Sequence, residues 1–164
     1  MTKYEFPRYV LQRSAGKNDL MPRHILFLCT GNYYRSRFAE ELFNHLARQH
    51  KLDWSADSRA LAIELGFYNF GPISTHAQAA LTARGLVLTE PIRSPQQVTE
   101  EELAAATRVI ALKEAEHRPY LATRYPKWPD RVEYWHIHDL DTATPVEALS
   151  AIADKVAAMI TELK

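Results

Sequence analysis

The sequence predicts an α/β fold built on a parallel sheet that helices cover on both faces. Short apolar segments alternate along the chain with stretches whose apolar residues recur every three or four positions, which is the pattern of strands alternating with helices. The first apolar segment ends at Cys29, the only cysteine, and a short turn leads from it into a helical pattern. A chain of 164 residues is long enough for one domain with its own hydrophobic core.

The strands and helices follow from these patterns in chain order. The predicted strands are short apolar or alternating segments at residues 23–29, 52–62, 107–112 and 132–137. The predicted helices lie at residues 36–51, 75–84 and 114–125, with a short one opening at 99–102 and a long last one opening at 144–147. Because proline removes a backbone donor inside a helix, we expect Pro119 at a break or at a helix start.

Capping residues mark several of the helix ends. Ser74 or Thr75 caps the second helix, and Gly85 ends it. Residues 99–102 have the Thr-x-x-Glu form of a capping box, and residues 144–147 combine a cap, a proline at the first position and a glutamate that reaches back. The apolar stripe of the last helix is expected in the core and comprises Val146, Leu149, Ile152, Val156, Met159 and Leu163.

Composition and charge argue against several classes of protein. Lys and Arg number 20 and Asp and Glu number 20, so the formal net charge is zero, and we expect no affinity for nucleic acid or for an anionic membrane. A single cysteine excludes an internal disulfide and most cysteine-based zinc sites. Residues 1–22 lack an apolar core of signal-peptide length, so we expect a cytoplasmic protein. We divide the chain into an N-terminal arm, residues 1–22, and a domain, residues 23–164.

Cys29 stands where a buried strand meets the N-terminus of a helix. Backbone N–H groups in such a turn have no helical partners, and with the helix dipole they form a cradle for an anion. Gly31 and Asn32 favour the unusual backbone angles that this turn requires. A thiol placed here ionises more easily, because a thiolate is itself an anion. A lone cysteine after a strand is more often a small buried apolar residue, but the Cys-x5-Arg-Ser spacing favours a nucleophile.

Arg35 and Ser36 complete this pattern. The Arg35 guanidinium offers paired donors suited to two oxygens of a phosphoryl group, and the Ser36 hydroxyl can donate to the sulfur of Cys29. Thiolate, amide cradle and arginine together predict phosphoryl transfer through a phosphocysteine. The residues predicted to bind the phosphate group are Thr30, Gly31, Asn32, Tyr33, Tyr34 and Ser36.

An aspartate beyond the last strand is the predicted acid. Strand ends of a parallel sheet meet at one rim, so Asp139 can lie near Cys29 although the two are far apart in sequence. A carboxylic acid there can protonate the leaving oxygen and later activate water. Asp139 is our first choice and Asp141 the second. A loop carboxylate that only caps a turn is the common alternative.

Two further features leave alternatives open. His136 and His138 lie on one face of a strand end, where with Asp139 or Asp141 they could bind zinc, although two half-exposed histidines are the commoner outcome. Residues 66–72 form a loop with three aromatic residues. These either pack back on the domain or form a wall of the ligand cleft.

The segment 25–40 resembles the low-molecular-weight protein tyrosine phosphatase family through its Cys-x-Gly-Asn-x-x-Arg-Ser core. The resemblance, weaker downstream, covers all but about the first twenty residues. It implies a three-layer, flavodoxin-like fold of the phosphotyrosine protein phosphatase I type, with a four-stranded parallel sheet. It also implies Cys29 as nucleophile, Arg35 as phosphate clamp and Asp139 as general acid, with Asn32 fixing the loop and Ser36 as thiolate partner.

The resemblance implies hydrolysis without a cofactor or metal. The expected substrate is a phosphorylated protein, above all protein phosphotyrosine, or a small aryl phosphate, and the expected product is inorganic phosphate. Three positions depart from the family: Tyr34 stands where a second cysteine is common, Arg37 replaces a usual proline, and Leu140 follows the acid where proline is normal. The alternative is a catalytically weak phosphate- or phosphopeptide-binding module of the same fold.

Overall fold

The computed structural model describes residues 22–164. The predicted N-terminal arm lies outside the described residues except for Pro22. The strands are β1 (Arg23–Cys29), β2 (Trp54–Ala60), β3 (Arg108–Ala111) and β4 (Glu133–Tyr134). The helices are α1 (Arg35–Gln49), α2 (Thr75–Ala83), α3 (Glu100–Ala105), α4 (Glu114–Arg124) and α5 (Pro145–Leu163), and a 3₁₀ helix occupies Ile63–Gly66.

The four strands form one parallel sheet in the order β2-β1-β3-β4. Cys29 at the end of β1 pairs with Ala60 at the end of β2, and Leu28 pairs with Ala111 at the end of β3. The predicted α/β fold with a four-stranded parallel sheet is therefore confirmed. The carboxyl ends of β1, β2 and β3 lie at one edge of the sheet, and the turn that connects β1 to α1 lies at the same edge.

The core has one part on each face of the sheet. Ile25 and Phe27 of β1 belong to a buried cluster that includes residues of α1, α2 and α5. Leu26 and Leu28 belong to a second cluster that includes Leu103 of α3 and residues of α4. Because successive side chains of a strand point to opposite faces, the uninterrupted apolar run of β1 is what two covered faces require.

The predicted helix starts are confirmed at three helices. Ser74 caps α2 and accepts the N–H of His76. Reciprocal capping boxes open α3 at Thr99 and α5 at Thr144. Each box satisfies N–H groups that the first turn leaves without partners.

Three local predictions were wrong. Pro119 lies inside α4 and neither breaks nor starts it, because the packing of a tertiary structure can outweigh one lost hydrogen bond. The fourth strand has two residues instead of six, and beyond it an isolated antiparallel bridge joins Lys113 to His136. Val146, at the first turn of α5, is 76% exposed, since the stripe reaches the core only from the second turn onward. None of the helices within residues 22–164 is both long and apolar enough to cross a membrane.

Candidate active site

Cys29 lies at the base of a cleft of about 210 Å³ at the rim of the sheet. Its side chain is almost fully buried and forms no disulfide. The cleft is lined by Cys29, Thr30, Gly31, Tyr34, Arg35, Leu65, Gly66, Tyr68, Glu116 and Asp139. The three predicted catalytic residues, Cys29, Arg35 and Asp139, are therefore brought together, although Asp139 is far from the other two in sequence.

In the turn after Cys29, Asn32 takes the unusual backbone angles that the sequence predicted, whereas Gly31 does not. Asn32 has a φ of 53°, a left-handed conformation that asparagine tolerates better than most residues. Gly31 approaches a neighbouring loop closely, because a Cβ at this position would lie 3.4 Å from Asn69 Nδ2. The turn is thereby fitted against the loop that carries the aromatic residues.

Ser36 contacts the sulfur directly. Its Oγ lies 2.9 Å from Cys29 Sγ, and the same Oγ accepts a hydrogen bond from Asn32 Nδ2 at 3.0 Å. Because the Ser36 oxygen accepts the hydrogen bond from Asn32, the Ser36 O–H remains available as a donor. The Ser36 hydroxyl can therefore donate to Sγ, as the sequence predicted.

The Asn32 side chain is fixed by hydrogen bonds to residues outside the cleft, which the sequence did not predict. Its Nδ2 also donates to Ser58 Oγ at 2.8 Å, and its Oδ1 accepts from Arg93 Nη1 at 2.9 Å and from the Gln96 N–H at 3.2 Å. Arg93 Nη2 in turn reaches Ser58 Oγ and Glu40 Oε1, at 3.0 and 3.1 Å. We call Ser58, Arg93, Gln96 and Glu40 the brace of the loop. It fixes Asn32 in a conformation that few residues adopt.

Arg35 is 2% exposed, with its guanidinium in the wall of the cleft. Its Nη1 donates to the Ile137 carbonyl at 3.0 Å. Burial alone would lower the pKa of Arg35, but Cys29 and the nearby carboxylates outweigh it, so the pKa is raised. The guanidinium stays charged and is available to an anion above Cys29.

The two candidate acids occupy different places. Asp139 lines the cleft, and its Oδ2 lies 3.5 Å from Arg35 Nη2. Its side chain is 44% exposed, and its Oδ1 accepts the N–H of Leu140 at 2.9 Å. Asp141 does not line the cleft and accepts a hydrogen bond from the Thr142 hydroxyl instead. The geometry therefore favours Asp139 over Asp141.

Glu116 and His117 were missed by the sequence analysis. Glu116 lines the cleft, and its Oε2 lies 2.5 Å from Arg35 Nη2 and 3.1 Å from His117 Nε2. Both residues belong to α4, which starts three residues after the end of β3. Ligand sites of parallel sheets lie beyond the carboxyl ends of the strands. The position of these two residues just after β3 was therefore the one feature of the sequence that could have indicated a place near the site.

The predicted phosphate-binding residues divide into two sets. Thr30, Gly31 and Tyr34 line the cleft, whereas Asn32, Ser36 and Tyr33 do not. Tyr33 turns away and donates to the Phe70 carbonyl at 2.5 Å. Tyr34 is buried, and burial together with the negative charge of Asp139 raises its pKa to about 12. Tyr34 therefore keeps its proton throughout the physiological range.

The aromatic loop forms part of the cleft wall. Tyr68 lines the cleft, while Phe67 and Phe70 are almost fully exposed and do not pack back on the domain. Phe67 and Tyr68 meet edge to face, with ring centroids 5.3 Å apart. The sequence left open whether the aromatic residues of this loop pack on the domain or form a wall of the cleft. The structure shows the second arrangement, through Tyr68.

His136 and His138 lie side by side, with ring centroids 4.6 Å apart. Within residues 22–164, no three His, Cys, Asp or Glu side chains are placed to hold a metal ion together. The donor set that the zinc hypothesis requires is thus not assembled in this part of the chain.

A family model described as low molecular weight phosphotyrosine protein phosphatase matches residues 24–162. The chain belongs to this family. A protein-arginine-phosphatase of Bacillus subtilis (strain 168) is 31% identical over 108 residues, which cover 66% of this chain and 67% of that protein. Family membership establishes phosphatase chemistry as the class of activity.

Solved structures share the fold. The low molecular weight protein tyrosine phosphatase from T. tengcongensis is 25% identical with a TM-score of 0.67, and the match covers 86% of this chain and 97% of that one. Vibrio vulnificus Wzb in complex with benzylphosphonate is 18% identical with a TM-score of 0.71, covering 86% of this chain and 99% of that one. The flavodoxin-like, three-layer fold predicted from the sequence is confirmed.

Proposed function

We propose that this family member is a protein phosphatase that hydrolyses aryl phosphates, in particular protein phosphotyrosine, through a phosphocysteine on Cys29. The observation that carries the proposal is the arrangement at the base of the cleft: Cys29 Sγ contacts Ser36 Oγ at 2.9 Å, and Arg35 and Asp139 stand in the wall. The residues that we propose as nucleophile, phosphate clamp and acid all face one cavity, which supports a two-step displacement.

Substrate binding uses the turn and the guanidinium. The phosphoryl oxygens accept hydrogen bonds from the backbone N–H groups of residues 30–36 and from Arg35, whose planar donors match two oxygens at once. This holds the phosphorus above Cys29 Sγ. The charge that spreads over these oxygens in the transition state is stabilised by the same donors.

In the first step the Cys29 thiolate attacks phosphorus and the ester bond breaks. Asp139 gives its proton to the leaving oxygen, so that a phenol departs instead of a phenolate. The enzyme then carries a phosphorus–sulfur bond, and Asp139 is a carboxylate. Ser36 stabilises the sulfur both as attacking and as leaving group.

In the second step water attacks the phosphocysteine. The Asp139 carboxylate takes a proton from that water as its oxygen bonds to phosphorus, and the phosphorus–sulfur bond breaks. Inorganic phosphate leaves, and both the thiolate and the protonated Asp139 are restored. Neither step requires an added metal or cofactor.

The aromatic wall supports a preference for aryl substrates. Tyr68 stands at the cleft, where its ring can pack against a phenyl ring of the substrate. Exposed Phe67 and Phe70 beside it offer apolar surface to the polypeptide around the phosphorylated residue.

Phosphoarginine in proteins is a second candidate substrate. The Bacillus subtilis relative is a protein-arginine-phosphatase, and Glu116 places a second carboxylate in the cleft beside Asp139. A guanidino leaving group carries positive charge, which two neighbouring carboxylates stabilise. This observation favours a nitrogen-linked phosphoryl group over a neutral phenol.

Hydrolysis of p-nitrophenyl phosphate tests the proposed chemistry. The wild-type protein is expected to turn over, while Cys29→Ser and Arg35→Ala lose activity by about 10³-fold or more. Equal turnover by wild type and Cys29→Ser would contradict the proposal. An inert wild type that still binds phosphate would identify the protein as a phosphate-binding module instead.

Matched peptides distinguish the two substrates. One peptide sequence is prepared with phosphotyrosine or with phosphoarginine at the same position, and release of inorganic phosphate is measured for both. A higher kcat/KM on phosphotyrosine supports the first candidate, and a higher value on phosphoarginine supports the second.

We also propose that the phosphatase domain comprises residues 23–164, preceded by an arm of residues 1–22, and that it acts in the cytoplasm. A single unpaired thiol as nucleophile suits a reducing compartment. Fractionation of the source cells, with p-nitrophenyl phosphatase activity as the readout, tests this location.

A further inference from the structure

Two acidic residues share one nitrogen of the Arg35 guanidinium. Glu116 Oε2 lies 2.5 Å from Nη2, whereas Asp139 Oδ2 lies 3.5 Å from it. The other terminal nitrogen, Nη1, donates to the Ile137 carbonyl at 3.0 Å. The plane of the guanidinium is therefore fixed in the absence of a ligand, and Glu116 makes the shorter of the two acidic contacts.

Glu116 lies beside a buried histidine. His117 Nδ1 accepts the N–H of Lys113 at 3.0 Å, so the neutral ring carries its proton on Nε2. This Nε2 lies 3.1 Å from Glu116 Oε2. Because the His117 side chain is fully buried, its pKa is lowered and the ring stays neutral at physiological pH.

Glu116 is ionised over the same range. Burial raises its pKa, but His117 and Arg35 outweigh burial and bring the pKa down to about 2. Its side chain is 28% exposed, less than that of Asp139. Glu116 thus provides a permanent, anchored negative charge beside the phosphate site, whereas Asp139 remains on an exposed segment.

We propose that Glu116, which contacts Arg35 beside His117, is a positioning residue that orients Arg35 for the transition state and weakens the binding of free phosphate. The inference rests on the proposed function, because it gives Glu116 a part in the same reaction. An oriented guanidinium stabilises the charge of the transition state without reorganisation. A negative charge next to that guanidinium opposes the ground-state binding of a dianion, and tight ground-state binding does not accelerate the chemical step.

Glu116 also leaves Asp139 available as the acid. With Glu116 on Nη2, Arg35 already has an anionic partner, and Asp139 is not its only counter-ion. Without Glu116, Asp139 would be the remaining carboxylate on the guanidinium. In the hydrolysis of an aryl phosphate the two carboxylates therefore have separate tasks, one on the arginine and one on the leaving group.

The substitution Glu116→Gln tests this inference, because glutamine keeps the shape and removes the charge. We expect kcat to fall by about tenfold, while KM falls and inorganic phosphate binds about fivefold more tightly. Glu114→Gln is the matched control. It removes a carboxylate from the same helix that pairs with Arg118 at the surface, and should change neither constant.

The charge effect and the orientation effect can be separated. Glu116→Asp keeps the charge on a shorter side chain, so we expect a lower kcat with unchanged phosphate affinity. A residue that only supports the fold would raise KM and lower the melting temperature together. Unchanged kcat and phosphate affinity in Glu116→Gln, or a rise in its KM, would overturn the inference.

Phosphate binding is measured by calorimetry in proteins that also carry Cys29→Ser, which separates this test from turnover. If the wild type proves inert, the proposed function fails, but tighter phosphate binding after Glu116→Gln still supports the charge effect. Equal phosphate affinity with glutamate and glutamine at this position overturns it, whether or not the protein turns over substrate.

Discussion

The two sides of the cleft are held in different ways. The loop of residues 30–36 is fixed by distant parts of the chain, since Asn32 bonds to Ser58, Arg93 and Gln96. The segment of residues 138–143, which carries Asp139, is held locally, because the N–H groups of Leu140, Thr142 and Ala143 bond to Asp139 itself. Hydrogen bonds between distant parts of the chain break only when the fold unfolds globally. Hydrogen bonds within an exposed segment break in local opening, which costs less free energy.

The comparison suggests a division of labour. The nucleophile and the anion site require fixed geometry, because small displacements there cost much of the rate. The acid must give and take a proton while different leaving groups enter and depart. A more exposed, locally held aspartate suits that task.

Removal of the acid should have a large effect on rate and little effect on stability. Asp139→Ala is expected to lower kcat by about 10³-fold for poor leaving groups and by less for good ones. Since Asp139 lies on an exposed segment, unfolding free energy should change by less than about 0.5 kcal/mol. Turnover of a series of aryl phosphates measures this. Asp141→Ala serves as the control, and an unchanged leaving-group dependence in Asp139→Ala would assign the acid role elsewhere.

Loss of the asparagine in the loop should affect both rate and stability. Asn32→Ala leaves several buried polar groups without partners and places alanine at a φ of 53°, so we expect a loss of about 3 kcal/mol and about 10²-fold in kcat/KM. Urea unfolding and steady-state kinetics provide the measurements. Asn32→Gly should recover about 1 kcal/mol, because glycine accepts this φ. Equal stability of the two variants would show that the backbone conformation contributes little.

The brace should respond to pH through a buried carboxyl group. Burial raises the pKa of Glu40. Hydrogen bonds outweigh burial at the neighbouring Asp57 and hold its pKa well below its usual range, so of the two carboxyl groups Glu40 is the one that binds a proton. The folded state therefore keeps a proton that the unfolded chain loses above about pH 4.3, and stability falls as pH rises beyond that value.

Glu40→Gln removes this titration while keeping a neutral side chain. Its unfolding free energy relative to wild type is expected to increase between pH 5 and pH 8, by at most about 1.4 kcal/mol for each pH unit. Urea unfolding at both pH values tests the expectation. Parallel pH dependences of wild type and variant would mean that Glu40 is ionised in the folded protein.

The aromatic wall should give the smallest effect. Tyr68→Ala is expected to raise KM for a phosphotyrosine peptide by about threefold to tenfold, because it removes one ring from the cleft, with kcat nearly unchanged. Phe70→Ala is a suitable control for p-nitrophenyl phosphate, since Phe70 does not line the cleft. An equal KM for wild type and Tyr68→Ala would contradict the proposed contact.

Local patterns in the sequence were sufficient for much of the fold and for half of the cleft. The apolar run of β1, the caps at Thr99 and Thr144 and the Cys-x5-Arg-Ser spacing depend on neighbouring residues, so they could be predicted. Arg93 and Glu116 were missed, since each meets its partner 61 or 81 positions away in sequence and neither belongs to a local motif. For Glu116 the position just after β3 was the one available signal. The exposure of Val146 and the helix through Pro119 likewise depend on how whole helices pack.

The presence of one thiol in the chain gives the cleft a built-in chemical reporter. Any thiol-specific reagent that modifies the protein must do so at the base of the cleft, and a single mass increment then counts occupied sites. Slower labelling in added phosphate would trace anion binding without a substrate. The lack of a second cysteine also has a drawback. Hydrogen peroxide would oxidise Cys29 to a sulfenic acid, and no other cysteine of the chain can form a protective disulfide with it.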